Sequence, residues 1–148
     1  LMTRTRGMVN DYRDWGVPLG RRFRALKLWS VIRIYGVEGL RKKVRDHIRI
    51  ASALAEMISL ETDFELLAPA MMSVVCFRFI PPSITGNGLN QLNEKLNHAL
   101  NDSGMIYLTH TVVKGNYALR MVTAQTNVTL QHVEKAWELI MKTARELV

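Results

Sequence analysis

The charged side chain best placed to do chemistry in this sequence is that of Arg120. It lies in the middle of the apolar run YALRMV, from Tyr117 to Val122. An arginine among buried-type neighbours is costly unless its charge is paired. From the residues alone two interpretations stay open. In the first, Arg120 has a structural place, either on an exposed sheet face or paired with a nearby carboxylate. In the second, Arg120 is presented to an anionic ligand, since a planar guanidinium suits the two oxygens of a carboxylate.

The other titratable residues form no recognisable catalytic set. The histidines do not share a metal-ligand spacing on one predicted element, so we expect no metal; they are His47, His98, His110 and His132. The phosphate-binding, zinc-binding and hydrolase motifs are absent from the sequence. Three acidic residues, Glu61, Asp63 and Glu65, fall in a predicted turn and are expected to be solvated. The sequence thus predicts no complete catalytic site within the chain.

Composition indicates a globular domain. The 148 residues are 48% hydrophobic and 22% charged, which is enough to bury one core. The sequence contains no apolar run long enough for a transmembrane helix and no apolar signal region near Leu1, so it predicts neither a membrane span nor secretion. The lone Cys76 is interpreted as a small core residue in a reducing compartment, which favours the cytoplasm.

The net charge of +7 is unevenly distributed along the chain. Residues 1–60 hold 13 Lys and Arg against 5 Asp and Glu, a net +8, whereas residues 61–148 hold 7 against 8, a net −1. A basic half can indicate nucleic acid or an acidic membrane surface. The arginines here alternate with buried-type residues and no nucleic-acid motif appears. We therefore expect them to face another part of a larger protein.

The elements that must position Arg120 follow from hydrophobic periodicity and turn residues. Helices are predicted over Arg21 to Tyr35, over a stripe from Val37 to Ile58 after a break at Gly36, over Leu89 to Leu100, and from an N-cap at Thr129. Strands are predicted over Phe64 to Leu67, Met72 to Ile80, Ile106 to Val113 and Tyr117 to Ala124. This order favours an α+β fold with a mostly antiparallel four-stranded sheet covered by helices on one face.

The run from Asp11 to Gly36, DYRDWGVPLGRRFRALKLWSVIRIYG, resembles the pyridoxal-phosphate-dependent group II amino-acid decarboxylases. The likeness is to the branch that contains the aromatic-L-amino-acid and tyrosine decarboxylases. It continues through VVCFRF (Val74 to Phe79) and YALRMV (Tyr117 to Val122) into the last helix. The resemblance covers nearly the whole chain, which corresponds to the C-terminal third of such an enzyme.

The resemblance implies an architecture and a set of partners. Residues 1–35 would be the tail of the large domain and a connecting helix, and residues 36–148 the small C-terminal domain of an α/β fold-type I enzyme. The cofactor, pyridoxal 5′-phosphate, would be bound by the upstream large domain, whose Schiff-base lysine would precede Leu1. Expected partners are the remainder of the enzyme, a second subunit of a homodimer and an aromatic amino acid, with no nucleic acid and no membrane.

The resemblance also implies three substrate-binding residues. Arg120 corresponds to a small-domain arginine that points to the active-site cleft, where it meets the substrate carboxylate or its supporting network. Leu19 and Gly20 would line the substrate pocket, and a glycine there leaves room for a phenol, catechol or indole ring. No catalytic residue is expected in the chain itself, which would be inactive alone.

Two alternatives remain beside this reading. The chain could be a non-catalytic interaction or regulatory fragment that associates with decarboxylase-like subunits. The positive charge also leaves open a basic α+β domain that binds nucleic acid.

Overall fold

A computed structural model of the protein describes residues 22–148. The chain divides into two compact units, with the boundary between Val37 and Glu38. Helix α1 (Arg24–Leu60) runs across this boundary and leaves helical geometry at Gly36, where φ is 63° and ψ is 177°. Because glycine has no Cβ, it adopts a positive φ without steric cost. The break predicted at Gly36 is confirmed.

The first unit contributes the part of α1 that precedes Gly36. Its large apolar side chains are exposed, with Trp29 at 59% and Ile34 at 75%. At 100° per residue the exposed apolar positions of this part do not fall on one stripe; they are Leu26, Leu28, Trp29, Val31, Ile32, Ile34 and Tyr35. A helix that is apolar on several sides is typical of a segment enclosed by protein.

The second unit is an α+β layer structure, as predicted. After the remainder of α1 come β1 (Phe64–Leu66), β2 (Val74–Phe79), α2 (Asn87–Asp102), β3 (Thr109–Val113), β4 (Asn116–Val122) and α3 (Leu130–Glu146). The strands form one sheet in the order β1-β2-β4-β3, and every neighbouring pair is antiparallel.

The two faces of this sheet differ in character. On the inner face, Phe77 of β2 lies opposite Leu119 of β4, and both are fully buried. Helices α1, α2 and α3 all contribute to the core on this face, as expected for helices packed on one side. The centre of the core is aromatic, since the ring of Phe64 lies 4.9 Å from that of Phe79 and 4.8 Å from that of Trp137. Such tilted and edge-on pairs add to the energy gained by burial.

The helices bury the residues that their periodicity indicated, with one correction in α1. Its predicted stripe began at Val37, yet Val44 is exposed and the fully buried positions are Ile50, Ala51, Leu54 and Ile58. Only the C-terminal turns of α1 therefore contribute to the core. The N-cap predicted for α3 is confirmed, because Thr129 accepts from the backbone N–H of His132 and the His132 ring accepts from the backbone N–H of Thr129.

A row of asparagines fixes α2 to the sheet. Asn93 is fully buried, accepts a hydrogen bond from the N–H of Phe79 at 2.8 Å and donates to the carbonyl of the same residue at 2.8 Å. Asn101 pairs in the same way with both backbone groups of Leu108. Asn90 accepts from the N–H of Tyr117 and donates to the carbonyl of Gly115. These side chains satisfy strand-end groups that buried backbone cannot leave unpaired.

The strand limits differ from the predictions where local bonding competes with the sheet. Strand β2 begins at Val74 rather than Met72, because Met72 has a φ of 55° and lies in a tight turn closed by Met71 and Val74. Strand β3 begins at Thr109 rather than Ile106, since Asn101 occupies the backbone groups of Leu108. The hairpin between β3 and β4 turns at Lys114 and Gly115, both with positive φ, as two-residue turns of this kind require.

Candidate functional site

The outer face of the sheet is the side opposite the core, and it carries the sequence's most unusual charge. Residues directly opposite in an antiparallel sheet share a face, so the register defines this surface. Its members are Glu65, Val74, Cys76, Arg78, Thr109, Thr111, Val113, Asn116, Ala118, Arg120 and Val122. The outer face thus combines two arginines with small and β-branched side chains.

Arg120 lies in the middle of this face, opposite Cys76 of β2 and Thr109 of β3. Its side chain is exposed and its Nε donates to the hydroxyl oxygen of Thr109 at 2.9 Å. Across residues 22–148 it makes no ion pair. Arg120 thus lies exposed on the sheet, and its pairing with a carboxylate of the described residues is excluded. Its presentation to an anionic ligand stays a prediction.

The second arginine of the outer face has a carboxylate partner. Arg78 donates from Nε to Glu65, and the Arg78 side chain is only 15% exposed. The hydrogen bond crosses the β1–β2 pair at directly opposed positions. The charge of Arg78 is therefore balanced by a neighbouring carboxylate, whereas no carboxylate of residues 22–148 balances that of Arg120.

The acidic residues after α1 are partly exposed but held in ion pairs, which corrects the prediction that they are simply solvated. Arg145 of α3 donates to Glu61 at 2.6 Å and to Asp63 at 2.9 and 3.1 Å, and Glu65 pairs with Arg78. The hydrogen bond from Arg145 holds the pKa of Asp63 below its ordinary value, against the opposing effect of burial. These carboxylates serve structural ion pairs, and sequence spacing gave no signal because Arg145 lies more than 80 residues away.

The remaining candidates are more dispersed. Leu19 and Gly20 lie outside the described residues. Cys76 is a free, half-buried thiol on the outer face, so its predicted place in the core is wrong. His110 is exposed, and its ring stacks on Tyr117 with 4.9 Å between centroids.

The described residues do not fit a pyridoxal-phosphate site. A lysine that forms a Schiff base needs a sheltered amine, yet none of the seven lysines of the chain is buried. The most shielded is Lys43, whose Nζ donates to the carbonyl of Thr126 at 3.2 Å. Within residues 22–148, the structure shows no cluster of three metal-ligating side chains and no helix with the length and apolarity to span a membrane.

Comparison with known proteins assigns the family. The sequence pattern of the "Pyridoxal-dependent decarboxylase conserved domain" matches residues 1–80, more than half of the chain. The chain belongs to the pyridoxal-dependent decarboxylase family. The resemblance drawn from the run Asp11 to Gly36 is confirmed.

Relatives within this family extend the match through the rest of the sheet. The chain is 42% identical over 144 residues to tyrosine decarboxylase 3 of Petroselinum crispum, covering 95% of the chain and 28% of that protein. It is 38% identical over 141 residues to phenylacetaldehyde synthase of Arabidopsis thaliana, covering 95% of the chain and 29% of that protein. The chain thus spans less than a third of the length of these curated relatives.

A solved decarboxylase structure has the same fold. The crystal structure of Oryza sativa TDC with PLP and tryptamine superposes with a TM-score of 0.82 at 36% identity, over 94% of this chain and 30% of that one. The α+β arrangement of helices and antiparallel sheet is therefore that of a segment of a pyridoxal-phosphate decarboxylase.

Proposed function

We propose that the chain is the C-terminal portion of a pyridoxal-phosphate-dependent decarboxylase that releases CO₂ from aromatic L-amino acids of the tyrosine, dopa or tryptophan type. The observation that carries the proposal is the 42% identity to a tyrosine decarboxylase across 95% of the chain. The TM-score of 0.82 to the rice enzyme with PLP and tryptamine supports the same substrate class.

The cofactor and the amine that binds it are assigned to the rest of the enzyme. Pyridoxal phosphate acts as an electron sink in decarboxylation, and the described lysines offer no sheltered amine for it. We infer that the Schiff-base lysine lies in the large domain and that the chain alone is inactive. The residues of this chain then contribute to the substrate side of the cleft and to the contact between domains and subunits.

The division of the chain supports this assignment. We propose that residues 1–35 are the tail of the large domain and the connecting helix, and that residues 36–148 are the small domain. The unit boundary between Val37 and Glu38 lies close to the proposed one. The exposed apolar residues of α1 before Gly36 suit a helix enclosed by the large domain and a second subunit of a homodimer.

Activity assays separate this function from its alternatives. The complete enzyme with pyridoxal phosphate should release CO₂ from tyrosine, dopa or tryptophan, whereas the 148-residue chain should show neither turnover nor the visible absorbance of bound cofactor. Absence of turnover by the complete enzyme on every aromatic amino acid would contradict the proposal and favour a regulatory subunit.

A second reaction is favoured by one observation, the 38% identity to a phenylacetaldehyde synthase. That reaction would act on the same class of substrate but needs dioxygen as a two-electron oxidant: the amino acid, O₂ and water would yield the aromatic aldehyde, CO₂, ammonia and hydrogen peroxide in place of the amine. Separation of the two products by chromatography after incubation with phenylalanine or tyrosine decides between the reactions.

We further propose that Arg120 binds a carboxylate in the cleft, that of the substrate or of its supporting network. Its exposure on the outer face and its lack of an ion pair within residues 22–148 support this role. In the complete enzyme, Arg120→Met should reduce kcat/KM by about tenfold to a hundredfold, the cost of a charge-assisted hydrogen bond. Arg120→Lys should recover part of the loss, because it keeps the charge without the planar fork. Unchanged kinetics in Arg120→Met would exclude the role.

Leu19 and Gly20 are proposed to line the pocket for the aromatic ring. A side chain at position 20 would narrow that pocket, so Gly20→Ser should lower activity on tyrosine, dopa and tryptophan relative to histidine. The check is the ratio of kcat/KM for each aromatic substrate to that for histidine. A ratio equal to that of the unmodified enzyme would remove Gly20 from the pocket.

A further inference from the structure

The hydroxyl of Thr109 makes two hydrogen bonds to the same residue. Its oxygen accepts from Nε of Arg120 at 2.9 Å, and its proton is donated to the backbone carbonyl of Arg120 at 3.4 Å. Thr109 and Arg120 are directly opposed in the β3–β4 register. The hydroxyl oxygen of Thr109 therefore lies against the Nε side of the guanidinium, directly across the β3–β4 pair.

This contact restricts how Arg120 can bind an anion. A guanidinium offers a carboxylate a side-on edge, formed by Nε and one terminal nitrogen, and an end-on edge, formed by the two terminal nitrogens. Thr109 occupies Nε and therefore blocks the side-on edge. Among residues 22–148 no acceptor is bound to the terminal nitrogens. The end-on fork is left for a ligand.

We propose that Thr109 is a positioning residue that orients Arg120 for end-on, bidentate binding of the substrate carboxylate. The inference rests on the role proposed above for Arg120 and adds the residue that fixes its geometry. A long arginine side chain loses considerable rotamer freedom when it binds. A hydroxyl that holds Nε in advance removes part of that loss, so the effect belongs to substrate affinity rather than to the chemical step.

The first test observes the hydrogen bond itself in the 148-residue chain. The Nε proton of Arg120 should exchange with water about tenfold faster in Thr109→Val than in the unmodified chain, as expected for the loss of a charge-assisted bond. Thr109→Ser keeps the hydroxyl and should exchange within about twofold of the unmodified rate. Valine is nearly isosteric and favours strands, so the sheet should tolerate it. Equal exchange rates in Thr109→Val and the unmodified chain would overturn the proposal.

The second test is kinetic and uses the complete enzyme. Thr109→Val should raise KM for the aromatic amino acid by about five- to tenfold with kcat nearly unchanged, and Thr109→Ser should restore it. In an Arg120→Met background, Thr109→Val should have no further effect, because Thr109 acts only through Arg120. Additive losses in the double variant would overturn the proposal.

An inhibitor that lacks the carboxylate shows whether the end-on edge of Arg120 binds the substrate carboxylate or a carboxylate of the protein. The product amine has the same ring and amino group, so its inhibition constant should stay within about twofold in Thr109→Val if the substrate carboxylate is bound. Equal weakening of substrate and amine would assign the fork to a protein carboxylate and contradict the proposal. Normal kinetics in Arg120→Met would remove the proposed role of Arg120 itself. Impaired Arg120→Met beside normal Thr109→Val would reject the positioning role alone.

Discussion

The two faces of the sheet use the same strands for different purposes. On the inner face, Phe77 and Leu119 are fully buried among helices and aromatic rings. The adjacent residues of the two strands, Cys76 and Arg120, lie on the outer face and are at least partly accessible. Among residues 22–148, the side-chain partner of Arg120 is the hydroxyl of Thr109. Because successive side chains of a strand point to opposite faces, the two sets can be changed independently. The inner set should therefore determine stability, and the outer set should determine what the sheet binds.

The strongest test of this division removes a large inner side chain. Phe77→Ala leaves a cavity beside Phe64 and Trp137, whose rings lie 6.5 and 5.7 Å away, and should lower the free energy of unfolding by about 3–5 kcal/mol. Cys76→Ala, at the adjacent outer position, should cost no more than about 1 kcal/mol. Urea titration followed by tryptophan fluorescence measures both. Similar losses in the two variants would show that the outer face is as tightly packed as the core.

A smaller effect is expected from the asparagine row that joins α2 to the sheet. Asn93→Ala leaves the N–H and carbonyl of Phe79 without their side-chain partner in a buried place, which should cost about 2 kcal/mol. Glu94→Ala, at an exposed position of the same helix, should change stability by less than about 0.5 kcal/mol. Amide hydrogen exchange at Phe79 should report the same loss locally. Unchanged protection there would mean that water replaces the amide without cost.

The ion pairs of Arg145 should contribute less, because the arginine side chain is half exposed. Arg145→Met should cost about 1 kcal/mol at pH 7, whereas Lys142→Met, on the same helix, should cost less than about 0.5 kcal/mol. The folded state holds the pKa of Asp63 below its ordinary value of 3.8, so this pair stabilises the protein above that pH. The difference between the unmodified chain and Arg145→Met should shrink as the pH falls below about 3.8. A difference that grows in acid would contradict the assigned ion pair.

Much of the fold could be predicted because it depends on local pattern. The glycine break at Gly36, the N-cap at Thr129 and the β-branched and aromatic composition of β2 each reflect short-range physics that a sequence displays directly. The order of the predicted elements indicated a mostly antiparallel sheet with helices on one face. The sequence pattern could not give the limits of β3, because the side chain of Asn101 forms hydrogen bonds with the N–H and carbonyl of Leu108 and so keeps that residue out of the strand.

The candidate site was less accessible to prediction, because its contacts join distant segments. Arg120 could be singled out as a charge in an apolar strand, but its partner Thr109 depends on the register of the hairpin. The asparagines of α2 recur at positions 90, 93, 97 and 101, a helical spacing that could have indicated a polar row beside the leucine stripe. The partners of Glu61 and Asp63 lie on another helix and carry no local signal.

The smallest expected effect on stability is that of Arg120. Its side chain is exposed and its side-chain partner within residues 22–148, Thr109, is neutral, so Arg120→Met should change the free energy of unfolding by less than about 0.5 kcal/mol. Arg78→Met is the matched control on the same face, since it leaves the part-buried Glu65 unpaired and should cost about 1–2 kcal/mol. A loss above about 2 kcal/mol for Arg120→Met would make it a structural residue and end the contrast between the faces. A negligible loss of unfolding free energy, together with impaired turnover of the complete enzyme, would mean that Arg120 contributes to ligand binding and not to stability.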